Sequence, residues 1–102
     1  MKLFVDTSDR QKTIVKVGDK KYVSFQENGA SQELLKLIKK ALSKNNIKVS
    51  DITEIEVGIG PGSFTGLRVG VAVCETLAWV LGVPVNGKNV AKGGGVEIIY
   101  EK

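Results

Sequence analysis

The chain has 102 residues, 42% of them hydrophobic and 25% charged. This is the balance of one small globular domain and argues against disorder. A formal charge of +4, a single cysteine and no histidine exclude an internal disulfide and remove the commonest general base and metal ligand. Basic charge permits contact with nucleic acid or an acidic partner without specifying either.

The start, Met1-Lys2-Leu3-Phe4-Val5-Asp6, turns polar too soon for a signal peptide. Lys2 to Asp6 reads as a strand that ends in the turn Asp6-Thr7-Ser8. Thr13 to Val17 is a second, β-branched strand. Gly18-Asp19 is a hairpin signal, and Lys20 to Gln26 is the return strand. Three antiparallel strands are therefore expected first.

Ser31 can cap a helix, because its hydroxyl can accept from a free N–H of the first turn. Leu34, Leu35, Leu37, Ile38, Ala41 and Leu42 follow at helical spacing. They cover an arc of roughly 160°. Lys36, Lys39, Lys40 and Lys44 form a charged face that reads as solvated. Asn45-Asn46 closes the helix. Ile55 to Ile59 is a buried strand, and Phe64 to Leu81 is a second helix that Gly82 stops. Val83-Pro84-Val85 begins another strand. Gly93-Gly94-Gly95 looks like a flexible joint, and Val96 to Tyr100 can add a last strand. The order β-β-β-α-β-α-β predicts an α/β fold, a mixed sheet with helices packed on it.

The loop Gly60-Pro61-Gly62-Ser63-Phe64-Thr65-Gly66 joins a strand to a helix. Ser63 and Thr65 can cap that helix, and a helix N-terminus favours anions. The spacing still fails the nucleotide patterns: no lysine stands at the Walker position, and Thr65 occupies the place of a dinucleotide-motif glycine. A turn that packs the helix on the strand is the better reading.

Gly66, Gly70, Cys74 and Ala78 recur every four residues and make a stripe of small side chains. Arg68 and Glu75 within the same segment argue against a membrane span. Cys74 reads as a packed small residue. Arg68, Ala72, Glu75 and Trp79 fall on one side of the helix, with Val71 nearby. Gly66, Gly70, Val73 and Leu77 fall on the other, which is expected to face the sheet. A tryptophan beside charges suits a protein interface. A core tryptophan beside solvated charges is the equal alternative.

The run Val57-Gly58-Ile59-Gly60-Pro61-Gly62-Ser63-Phe64-Thr65-Gly66-Leu67-Arg68-Val69-Gly70 resembles the signature of the TsaB (YeaZ) family. Leu3 to Ser8 resembles that family's opening strand and Asp-Thr-Ser turn. Ser31-Gln32-Glu33-Leu34-Leu35 resembles the start of its first helix, with Ala30 in place of a frequent histidine. Val83-Pro84-Val85 and Gly87 resemble the strand after its second helix. The resemblance covers about residues 1–91, leaving 92–102 as a glycine-rich joint and possible terminal strand.

The resemblance implies one ribonuclease-H-like lobe of the actin/Hsp70/sugar-kinase type. It implies a cytoplasmic, non-catalytic subunit without cofactor, metal or catalytic residue. Such a subunit partners TsaD, with TsaE in the same complex, in placing threonylcarbamoyl on the adenosine beside the anticodon of certain tRNAs. Contact with tRNA would be indirect. The two helices would form the partner surface, through Ser31, Leu34, Leu35, Ile38 and Leu42 on the first and Leu67, Arg68, Val71, Ala72, Glu75 and Trp79 on the second. The same surface can make a homodimer. Gly60, Gly62, Ser63, Thr65 and Gly66 would seat the second helix.

Family members run about twice this length, with a second lobe after the strand near Val85. A nucleotide in this superfamily sits between two lobes. A single lobe is therefore expected to bind nucleotide poorly or not at all, although Asp6-Thr7-Ser8 resembles a phosphate-loop position. The alternative is a remnant ATPase or kinase that uses Asp6 and the glycine loop, its site completed by dimerisation. A third reading is a small tRNA-binding module using the lysine face. It lacks a stacking aromatic set of the kind single-strand binders use.

Overall fold

A computed structural model describes residues 1–9, 12–25, 30–60 and 64–88, and all side chains among them except those of 30–33 and 64–66. Strand β1 (Lys2–Asp6) pairs antiparallel with β2 (Lys12–Val17), which pairs antiparallel with β3 (Lys20–Phe25). Val17 faces Lys20 across the two-residue turn Gly18-Asp19. Helix α1 (Ala30–Lys44) and a 3-10 turn (Val49–Asp51) lead to β4 (Glu54–Val57), which joins β1 in parallel. The sheet order is β3-β2-β1-β4. Helix α2 (Phe64–Leu81) follows.

Alternation at period two sorts the sheet into two faces. Leu3, Val5, Val15, Val17, Ile55 and Val57 point to one face and are buried. Both helices pack there, α1 over β2 and β3, α2 over β1 and β4. Helix α1 contributes Leu34, Leu37, Ile38, Ala41 and Leu42 to this core. Each large aliphatic side chain so buried stabilises the fold by about 1.5–3 kcal/mol.

The helices end alike. Asn46 takes a left-handed φ of +53°, and the Ile47 N–H donates to the Leu42 carbonyl at 2.9 Å. Gly82 takes φ +70°, and the Val83 N–H donates to the Ala78 carbonyl at 3.0 Å. In each case the left-handed residue reverses the chain and a six-residue loop satisfies a carbonyl that the helix leaves free. Asn45 adds a tertiary tie: its amide donates to the Ala41 carbonyl at 2.7 Å and to the Tyr22 hydroxyl on β3 at 2.9 Å.

The structure changes four expectations of local detail. Ser31 lies inside α1, which begins at Ala30, so it is not the cap residue. Strand β4 stops at Val57 rather than Ile59, although the Gly58 N–H still donates to the Val5 carbonyl at 2.8 Å. The strand expected at Val83–Val85 is reduced to Val85, which bridges Ile55 in parallel and Lys88 antiparallel. Pro84 has no N–H to pair, and Asn86 (φ +50°) and Gly87 (φ +79°) turn the chain back at once. On α2, Val71 belongs to the buried side, whereas Val73 and Leu77 are only half-buried. The joint at Gly93-Gly94-Gly95 and the strand at Val96–Tyr100 lie outside the described residues.

Candidate functional site

Two regions bear the residues singled out by the sequence. The first lies where β1 and β4 end beside the start of α2. Asp6 Oδ1 accepts from the Ser8 N–H at 2.9 Å, so the carboxylate holds the turn that follows its own strand. Gly58 lets that carboxylate come close: a Cβ there would stand 2.9 Å from Asp6 Oδ1. Thr7 is buried, and its hydroxyl occupies the space that a Cβ on Gly70 would fill. The stripe Gly70, Cys74, Ala78 is buried along its length, so small side chains bring α2 down onto the sheet.

This is packing chemistry. Gly60 has φ +104°, a value that suits glycine. Gly62 and Ser63 of the same loop lie outside the described residues, and Thr65 and Gly66 are known only as helical backbone. No group of three histidine, cysteine, aspartate or glutamate residues that could hold a metal occurs among the described residues. Burial pushes the Cys74 thiol up to about 12, the neighbouring Glu75 adding to the effect. That thiol is a packed, protonated side chain.

The second region is the outer surface of the helical layer. Arg68, Ala72 and Trp79 are exposed, and Glu75 is half-buried between them. Spacings of four, three and four residues align them in one stripe. Trp79 is 65% exposed and Val80 beside it 69%. On α1, Leu35 is 51% exposed next to Lys36 and Lys39. Val80 was not singled out in the sequence, where it is one more apolar residue in a helix apolar all round.

Five residues expected at the partner surface face inward instead. Leu34, Ile38, Leu42, Leu67 and Val71 are all buried within the chain. They lie on the helix sides that meet the sheet or the other helix, so their contacts are internal. The Ser31 side chain lies outside the described residues. Leu35, Arg68, Ala72, Glu75 and Trp79 remain, joined by Val80. Trp79 is not a core residue but lies at the surface. Lys36, Lys39, Lys40 and Lys44 are exposed as expected. No described helix is long and apolar enough to cross a membrane.

Comparison with known proteins places this architecture. The family model for TsaD, the tRNA N6-adenosine threonylcarbamoyltransferase, matches residues 25–93. The chain is similar to the tRNA threonylcarbamoyladenosine biosynthesis protein TsaB of Bacillus subtilis, with 29% identity over 92 residues. That match covers 82% of this chain and 38% of the relative. TsaB of Buchnera aphidicola is 30% identical over 88 residues, covering 83% of this chain and 42% of the relative. YeaZ from Pseudomonas aeruginosa superposes with a TM-score of 0.69 at 28% identity, over 82% of this chain and 40% of that one. The chain thus spans about two fifths of the length of these relatives. The mixed sheet with both helices on one face is the α/β ribonuclease-H-like lobe that these relatives share. On the family model and on these likenesses together, the chain belongs to the threonylcarbamoyltransferase family as a TsaB/YeaZ-type member.

Proposed function

We propose that the chain acts in tRNA threonylcarbamoyladenosine formation as a non-catalytic subunit that binds a TsaD-like protein, with TsaE in the same complex. The observation that carries this reading is the exposed stripe on α2. Trp79 and Val80 present large apolar side chains to solvent, with Glu75 one turn before Trp79 and Arg68 toward the start of the same helix face. Tryptophan and arginine are the residues most often found at the energetic centres of protein interfaces. Leu35 on α1 is a further exposed large apolar side chain of the helical layer. In the absence of the partner, a second copy covers the same surface.

A non-catalytic role accords with how the polar residues are used. Asp6 holds its own turn through Ser8, and Thr7 packs against Gly70. Cys74 is buried and protonated. The remnant ATPase reading needs Asp6 redirected toward a bound phosphate, and no observation favours it. Static light scattering of the chain mixed with the TsaD of the same organism tests the proposal. A heterodimer is the expected result; two folded proteins that stay separate refute it.

A further inference from the structure

The sheet has a second face, opposite the helices. The strand registers bring to it residues that are far apart in sequence. Phe4 lies opposite Lys16, Lys16 opposite Lys21, and Lys12 opposite Phe25. The Lys16 ammonium sits 5.4 Å from the centre of the Phe4 ring. Phe25 is 79% exposed, and Val23 next to it on the same face is also exposed. Both described helices pack on the other side of the sheet.

The charge on this face is divided. Its acidic residues are Asp6 on β1 and Glu54 and Glu56 on β4. Asp6 is bonded to the Ser8 N–H, and Glu56 is paired with Lys2. The β2–β3 half carries Lys12, Lys16 and Lys21 with no acidic residue among them. Lys16 and Lys21 stand directly across from each other, and like charges so placed destabilise an antiparallel pair. A polyanion laid across the strands would neutralise both charges, and the exposed ring of Phe25, farther along the same face opposite Lys12, offers a flat surface for a base.

We infer that the β2–β3 half of the sheet face opposite the two described helices binds single-stranded nucleic acid, with phosphates on Lys12, Lys16 and Lys21 and a base stacked on Phe25. This site lies on the opposite side of the molecule from the α2 stripe and does not depend on the partner reading.

Fluorescence anisotropy with short labelled oligouridylate and oligothymidylate tests the inference and separates RNA from DNA. Binding is expected at low salt. The slope of log K against log salt should be about −2, as for three phosphate contacts on a single strand. Lys21→Glu is the informative variant. It turns a like-charge pair into an opposite-charge pair, so urea stability should hold or rise while affinity falls about tenfold. Phe25→Ala should weaken binding by about tenfold through lost stacking. Lys39→Glu on the exposed face of α1, which changes the net charge by the same amount as Lys21→Glu, should leave binding within about twofold. Three results overturn the inference: no binding of either oligonucleotide at low salt, binding lost in the α1 variant but kept in Lys21→Glu, or a Phe25-dependent association between protein chains with no oligonucleotide bound. Heterodimer formation with a TsaD-like protein should be the same in Lys21→Glu as in wild type, so each proposal can fail alone.

Discussion

The side-chain amide of Asn86 grips both backbone groups of Val57: its Oδ1 accepts from the Val57 N–H at 2.8 Å, and its Nδ2 donates to the Val57 carbonyl at 3.1 Å. A side chain thus stands where the next residue of a paired strand would be. The Ile55 N–H donates to the Pro84 carbonyl and the Asn86 N–H to the Ile55 carbonyl, each at 2.9 Å. The outer edge of β4 is thereby satisfied in two steps, one by backbone and one by side chain. An open edge would otherwise be a template for another strand.

Asn86 also accepts a left-handed backbone, which asparagine tolerates better than most residues. Asn86→Ala removes both hydrogen bonds and keeps the unfavourable φ, so a loss of about 1–3 kcal/mol is expected. Asn86→Gly should cost less, since it relieves the backbone while losing the same bonds. Urea denaturation of the three proteins checks this order.

The close approach of α2 to β1 rests on Gly70. A Cβ there would collide with the Thr7 hydroxyl. Gly70→Ala should therefore destabilise by about 1–3 kcal/mol through overpacking, although alanine is the better helix former by about 1 kcal/mol. Thr7→Ala in the same chain removes the colliding atom, so the double variant should lose less than the two single costs combined. Thermal unfolding of all four members of the cycle measures the coupling.

Cys74 gives a pH prediction. Burial raises its folded thiol to about 12 from an unfolded value near 9.0. The folded state thus holds its proton more tightly than the unfolded state. The contribution is fully present below the unfolded value and is lost as pH rises from there toward 12. Stability of the wild type should fall above pH 9 more steeply than that of Cys74→Ala. A thiol-reactive dye at pH 8 should leave the native chain unlabelled and modify one site after denaturation.

Much of this fold was legible in the sequence. Strand β1 and helix α2 run between the expected residues, and the hairpin at Gly18-Asp19 and the stops at Asn46 and Gly82 follow from local chemistry. The orientation of α2 was harder to read. Valines and leucines occur around its whole circumference, so hydrophobicity carries no phase. The small residues Gly70, Cys74 and Ala78 mark the buried side instead, and Val71 turns inward with them. The candidate partner surface suffered from the same ambiguity. Leu34, Ile38 and Leu42 share a helix with Leu35, and only packing against the sheet tells which of the four reaches solvent. The sheet face with Phe4, Phe25 and Lys16 could not be read from spacing, because the register that assembles it is a tertiary fact.

On the partner reading, the exposed stripe of α2 carries the binding energy and the buried residues carry only stability. Leu67→Ala should destabilise by about 2–5 kcal/mol as a core cavity, whereas Trp79→Ala should leave stability within about 0.5 kcal/mol as a surface change. Circular dichroism melts of the two variants separate these roles before any partner is added.

The most direct test is calorimetric titration of the TsaD-like protein of the same organism into wild type and into Trp79→Ala, with Ala72→Asp as a second disruption of the same stripe. Wild type should bind with a one-to-one endpoint, and each variant should bind at least about thirtyfold more weakly, as for a hot spot of about 2 kcal/mol. A folded wild type that gives no heat of binding, or variants that bind as tightly as wild type, would contradict the assignment of this helix face to the partner.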